Sequence, residues 1–474
     1  MKTSVNPFAF LSLVIALSAC GAGGSDNNPP PPVSFGKWTW VSGSNTANQA
    51  GIYGTRGTAA PSNVPGARMQ AVSWLDSQGK FWLFGGETGV GRYRDELNDL
   101  WKYDPTTLEW TWVSGSYTVD QAGIYGTQGT ADPLNVPGAR SGSVSWIDSQ
   151  GNLWLFGGLG YDSAHVGGEL NDLWKYDPAT LEWTWVSGSS TGNQLGTYGT
   201  KGTADPLNVP GAREGAVSWL DSSGNLWLFG GNGLDSTGPG INLNDLWEYD
   251  PTTLEWTWVS GSSTGNQLGT YGTKGTADPL NVPGAREGAV SWLDSSGNLW
   301  LFGGRGYDST LSTYVAWLND LWKYDPTTFE WTWVSGSKTG RQAGIYGTQG
   351  TADPLNVPGG RWYSVSWFDS RGKLWLFGGE GSDSSGGFYY LNDLWEYEPT
   401  TLEWTWVSGS KNAYPHRPGT YGTKGTAASS NVPGARFLAV SWIDSPGKLW
   451  LFGGDGYDST NNENLINDLW KYTR

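Results

Sequence analysis

The chain has 474 residues, among them 72 glycines and 32 tryptophans, and a formal charge of −16. Glycine and large aromatics at this density favour many short strands joined by turns over helices. The acidic balance, with no basic run, excludes a nucleic-acid partner, because neutralising a phosphate backbone takes clustered Lys and Arg.

Residues 1–19 carry Lys2 near the start, an apolar run from Phe8 to Leu17 and then small residues, which is the layout of an export signal. The apolar run is too short for a stable membrane span. The only cysteine is Cys20, so no intramolecular disulfide can form. It ends "LSAC", which resembles the bacterial lipobox. That resemblance implies cleavage before Cys20 and lipid attachment to its sulfur; the alternative is an ordinary secretion signal with an incidental cysteine. Gly21 is similar to the pattern compatible with outer-membrane sorting. Residues 20–34, with "GAGGSDNNPPPP", cannot pack a core and read as a tether. The expected setting is the bacterial envelope, periplasmic or surface-exposed, with the membrane touched only through the N-terminal lipid.

Residues 35–474 are repetitive. "WTWVSG" starts at Trp38, Trp110, Trp183, Trp256, Trp331 and Trp404, at spacings of 72, 73, 73, 75 and 73 residues. Within a unit, "AVSWL" at 71, "FWLFGG" at 81, "NDLWKYDP" at 98 and "EWTWVSG" at 109 fit four strands bounded by turn residues. Four strands per repeat suggest a propeller blade. Thirty of the 32 tryptophans occupy five fixed positions of the unit, a periodicity that means packing between neighbouring blades before ligand stacking. The first unit begins with its last strand, and the chain ends after a third strand. A six-bladed all-β propeller closed by the N-terminal strand completing the last blade is the expectation.

A hydrophobic run ending in a glycine pair ("LWLFGG"), followed by Tyr103 and Trp110 with six residues between them, resembles the Kelch motif, and an Arg opening the first strand belongs to the same likeness. All six units share it. The resemblance implies the six-bladed, galactose-oxidase-like fold, but the fold alone names no function.

The turns joining strands 1–2 ("DSSGN") and 3–4 ("DPTTLE") are short and nearly invariant, whereas the 2–3 loops differ in every unit. Residues 181–231 recur unchanged at 254–304, and the copies diverge directly after "FGG". The 4–1 segments, of the type "SGSSTGNQLGTYGTKGTADPLNVPGAR", are too long and too regular for structureless loops and are expected to fold over the ring as an ordered rim. The face bearing the 2–3 and 4–1 loops is therefore where a site belongs.

The copper site that the fold resemblance suggests is excluded, since His165 and His416 are the only histidines and Cys20 precedes the domain. "SWLDSSGNLW" is similar to a sialidase Asp box but differs in spacing and reads as a hairpin turn. The "GYDS" aspartates Asp162, Asp308 and Asp458 lack the ligand density of a calcium loop. Arg68, Arg140, Arg213, Arg286, Arg361 and Arg436 open the innermost strand and could form a cationic ring for an anionic ligand, or else bond the recurrent Asp of "NDLW". Trp317 and Trp362, outside the repeated positions, could stack a sugar or anchor a peptide side chain.

The sequence thus points to a binding propeller without cofactor or metal, recognising a protein or a glycan. The enzyme alternative, an acidic-sugar epimerase, comes from resemblance to periplasmic N-acetylneuraminate epimerases. It would use the arginines with a loop acid such as Glu87 or Glu380.

Overall fold

Alternating large apolar side chains in "VSWL", "FWLF", "DLWKY" and "EWTW" dictate extended strands with two buried faces. The computed structural model describes residues 36–89, 95–310 and 315–474, and each of these runs is a strand in it. Val72–Leu75, Phe81–Thr88, Asp95–Asp104 and Glu109–Ser114 pair in that order as one antiparallel sheet. Val217–Leu220, Leu226–Phe229, Leu246–Asp250 and Glu255–Ser260 do the same, and so do the corresponding strands of the other repeats. No helix occurs among the described residues. The architecture is all-β, a series of antiparallel sheets of four to six strands of the kind that serve as propeller blades, with small three-stranded sheets beside them. The expected leader (1–19) and tether (20–34), with Cys20, lie outside the described residues.

The short turns form as their residues require. Asp104 Oδ1 accepts the Thr106 amide at 2.8 Å and its hydroxyl at 2.6 Å. In "DSSGN", Asp221 Oδ1 accepts the Ser223 and Asn225 amides, both at 2.9 Å, while Oδ2 accepts the Trp227 indole N–H at 2.9 Å. This aspartate is committed to its hairpin, in line with the turn reading.

The core lies between successive sheets. Trp82 and Phe84 pack with Leu153, Leu155, Trp174 and Trp183 of the next repeat. Phe81, Leu83, Trp101 and Trp110 pack with Trp442, Trp450 and Phe452 near the C-terminus. Lys37–Ser42 is the outer strand beside Leu469–Thr473, with Trp38 opposite Tyr472 and Trp40 opposite Trp470. The N-terminal strand therefore completes the sheet that also contains Val440–Ile443 and Leu449–Phe452.

The 4–1 segments are ordered, and part of each lies beside the outermost strand. Ala204–Asp205 pairs with Thr257 and Trp256 as a fifth strand, which covers an otherwise open edge. Asn208 fastens it by donating to the Trp256 and Thr203 carbonyls, both at 3.0 Å. Tyr198 of the same segment reaches Asp245 at 2.6 Å.

Candidate functional site

The arginines of "PGAR" and "PGGR" were candidates for an anion-binding ring, and the structure corrects that expectation. All six are 1% exposed. Arg68 donates to both carboxylate oxygens of Asp99 at 2.6 and 2.7 Å, to the Gly85 carbonyl at 2.8 Å and to the Gly66 carbonyl at 3.2 Å. Asp99 also accepts the Tyr53 hydroxyl and the Trp101 indole N–H, each at 2.7 Å. The same arrangement joins Arg140 to Asp172, Arg213 to Asp245, Arg286 to Asp320, Arg361 to Asp393 and Arg436 to Asp468. A buried guanidinium persists only when paired and fully bonded, and the Asp of "NDLW" on the third strand is the nearest carboxylate. These arginines tie strands together and present no charge to a ligand.

The glycine pair of "FGG" carries each chain past its neighbour. Gly85 and Gly86 have φ of 64° and 95°, and a Cβ on them would meet the Arg140 and Met69 carbonyl oxygens at 2.7 Å. Gly231, Gly304, Gly379 and Gly454 donate to the carbonyls of Arg286, Arg361, Arg436 and Arg68 at 2.8 to 2.9 Å. Side chains are excluded there because backbone meets backbone.

Two residues after each arginine the chain turns left-handed, at Gln70, Gly142, Gly215, Gly288, Tyr363 and Leu438, with φ between 47° and 64°. Their amides form a circuit. Gly142 donates to Gln70, Gly215 to Gly142, Gly288 to Gly215, Tyr363 to Gly288, Leu438 to Tyr363 and Gln70 to Leu438, all at 2.7 to 3.1 Å. Three residues further along each chain segment, the serines of "VSW" repeat the pattern. Ser145 Oγ donates to Ser73 O at 3.2 Å, Ser218 to Ser145 at 3.1 Å, Ser441 to Ser366 at 3.1 Å and Ser73 to Ser441 at 3.3 Å.

Above the amide circuit opens a depression of about 480 Å³. Gln70, Tyr363 and Leu438 line it from the circuit, Glu214, Glu287, Trp362 and Phe437 from the start of the inner strands, and Asn232, Arg305, Glu380 and Asp455 from directly after the glycine pairs. Arg305 donates to Glu287 at 2.9 Å and lies 5.1 Å from the Trp362 ring centre. Trp362 donates its indole N–H to Glu380 at 2.8 Å. The Tyr390 and Phe437 rings are 4.6 Å apart.

The carboxyls are electrostatically crowded. Burial first, then the charges of Glu463, Glu380 and Glu87, push Asp455 from 3.8 up to about 6. Burial raises Glu380 against the opposing bond from Trp362, and raises Glu287 against the opposing charge of Arg305. The Tyr363 hydroxyl is held protonated by burial and by Glu287 and Glu214, and it bonds Gln70.

Of the residues singled out in the sequence, the structure brings Trp362 and Glu380 together. Trp317 lies elsewhere: it pairs with Arg305 through its backbone, but its ring packs on Phe388 at 3.7 Å and under Arg341 at 5.4 Å. The shared aromatic face expected for Trp317 and Trp362 therefore does not form. Glu87 is 4% exposed behind the wall and acts on the depression through Asp455. The "GYDS" aspartates are consumed by backbone: Asp162 accepts the Ala164, Val166 and Gly192 amides at 2.8, 2.9 and 3.1 Å. Among the described residues, no three His, Cys, Asp or Glu side chains are arranged to hold a metal ion.

No protein-family model matches the chain. Sequence reasoning missed Arg305, Tyr390, Phe437 and Asp455. The signal was available in the repeats: the residue after each arginine reads Met69, Ser141, Glu214, Glu287, Trp362 and Phe437, and the residue after each glycine pair reads Glu87, Leu159, Asn232, Arg305, Glu380 and Asp455. Positions that vary beside invariant ones mark what the scaffold leaves open.

Proposed function

We propose that residues 35–474 are a six-bladed Kelch-type propeller, held at the bacterial outer membrane by lipid on Cys20, that acts by binding a protein or glycan without catalysis. Six concordant "FGG", Tyr and Trp patterns support the Kelch assignment. The pairing of Lys37–Ser42 with Leu469–Thr473 and the amide circuit that returns to Gln70 support six blades and closure. The leader, the lone cysteine and the proline-rich tether support the anchoring.

One observation carries the binding reading. Repeats copied almost residue for residue differ at strand ends that converge on a single depression, where aromatic faces meet polar groups. An epimerase acting on an acidic sugar has less support. Its arginines are buried, and the guanidinium lining the depression, Arg305, is already paired with Glu287.

The test is a glycan array carrying neutral, sialylated, uronic and sulfated chains, run beside a peptide array of mixed charge, with the purified protein and its Trp362→Leu variant. Binding lost in the variant is expected. Binding that survives Trp362→Leu unchanged overturns the assignment of this depression as the site, and a blank on both arrays overturns recognition of a glycan or peptide.

A further inference from the structure

Resting on that binding reading, we infer that the depression takes a compact organic cation, an ammonium or guanidinium group, seated between the aromatic faces of Trp362, Tyr390 and Phe437 and the carboxylates of Glu380 and Asp455.

The charge inventory selects the sign. Among the described residues, four carboxylates line the space, Glu214, Glu287, Glu380 and Asp455, against one guanidinium, that of Arg305, whose charge is matched by Glu287 at 2.9 Å. An anionic sugar entering here would meet like charge at short range in a partly desolvated space, where screening is weakest. A neutral sugar would gain nothing from the carboxylates beyond hydrogen bonds.

The walls select the kind of cation. Weakly hydrated organic cations are attracted to the faces of aromatic rings, and more strongly where water is excluded. Tyr390 and Phe437 lie 4.6 Å apart, and Phe437 lies 6.5 Å from Trp362, so the rings form a continuous aromatic border beside the acids. A metal ion is a poorer match, since no three acids among the described residues converge as ligands. The protein already uses the proposed mode once. Arg305 is held between a carboxylate, Glu287, and an indole face, Trp362 at 5.1 Å.

Two further features point the same way. Asp455 lines the depression beside Tyr390, which bonds its carboxyl, and its Oδ1 is buried without a hydrogen bond, so this acid has acceptor capacity to spare. Burial first, then repulsion by Glu463, Glu380 and Glu87, lifts Asp455 to about 6, and an added positive charge relieves the repulsive part, so this crowding favours the occupied state. A volume of about 480 Å³ admits one side chain or a small amine, not a folded domain. The cation is thus either a free amine or the tip of a Lys or Arg side chain on a peptide partner.

The experiment is calorimetric titration of the purified full chain with tetramethylammonium, agmatine and the amidated peptide Gly-Lys-Gly, with N-acetylneuraminate and galactose as counter-probes. Saturable binding of the cations is expected, weakened about tenfold or more in Glu380→Gln, in Asp455→Asn and in Trp362→Leu. It is unchanged in Asp205→Asn, an exposed acid on the outer edge. If Trp362→Leu unfolds, the isosteric acid-to-amide variants decide. Tighter binding of the peptide than of agmatine assigns the source to a protein partner, and the reverse assigns it to a small amine. Cation binding of equal strength in all variants reflects only the net negative charge and overturns the inference. Binding of galactose or N-acetylneuraminate alone, lost in Trp362→Leu, overturns the cation but leaves the binding role standing. Failure of every probe here, with blank arrays, removes both.

Discussion

The Tyr363 hydroxyl lies 2.5 Å from the point where a Cβ on Gly215 would stand, and carbons of the same ring lie 3.0 to 3.1 Å from one on Gly288. One repeat thus fills, with a tyrosine, space that two others leave open with glycines. Gly215 also has φ of 63°, where any β-branched residue is strained. Gly215→Val is expected to destabilise the protein by about 2 to 4 kcal/mol, read as a lower urea midpoint. Adding Tyr363→Ala should restore part of the loss, with a coupling of roughly 1 to 2 kcal/mol. Strict additivity of the two changes would show that Tyr363 is not the obstacle.

Asp245 accepts bonds from Arg213, Tyr198 and Trp247, all buried. Asp245→Asn leaves the guanidinium without its counter-charge, and the expected cost is about 3 to 5 kcal/mol. Replacing both partners, Arg213→Met with Asp245→Leu, should cost clearly less, because no uncompensated charge remains. Chemical unfolding of the three proteins compares these directly. A single variant no worse than the double would mean that water reaches the pair.

The repeating scaffold was legible in the sequence because its chemistry is periodic. Alternating indoles, Asp-led turns and glycine pairs each report a local need, and six copies of "FGG" locate the strand ends without a structure. The arginines were legible only as a choice between ligand and Asp, since spacing of 31 to 34 residues to the partner carries no geometry. The depression was half legible. Trp362 and Glu380 stood out as unusual residues, but Arg305 comes from one other repeat and Phe437 and Asp455 from another, and only the fold brings them to one place. Trp317 misled for the complementary reason: one exceptional tryptophan found a private partner in Phe388.

Trp38 is 2% exposed and contacts Phe377, Trp470 and Tyr472 at ring-centre distances of 5.5, 6.5 and 5.1 Å. Deleting residues 36–42 removes this indole and leaves Leu469–Thr473 as an open edge. Loss of one such aromatic alone costs about 3 to 5 kcal/mol, so the truncated chain should show a sharply lower thermal midpoint and a tendency to associate. Unchanged unfolding would refute closure through the N-terminal strand.

Asp455 makes stability depend on pH with an unusual sign. Its carboxyl titrates near about 6 in the folded chain against 3.8 ordinarily, because burial and the charges of Glu463, Glu380 and Glu87 oppose ionisation. Between those values the native state holds a proton that the unfolded chain has released. The stabilisation this gives is fully present below 3.8 and is lost as pH rises through about 6. At neutral pH the ionised carboxylate therefore weakens the fold, by an amount on the order of 2 kcal/mol. Asp455→Asn should be more stable than the wild type at neutral pH, and the difference should shrink as pH falls toward 4, with Tyr390 still able to bond the amide. Glu380→Gln removes one of the opposing charges and should lower the pH at which the wild-type slope appears. Urea midpoints of the three proteins across this range check both statements. A wild type more stable than Asp455→Asn at every pH would mean that the carboxylate is compensated and the crowding is not real.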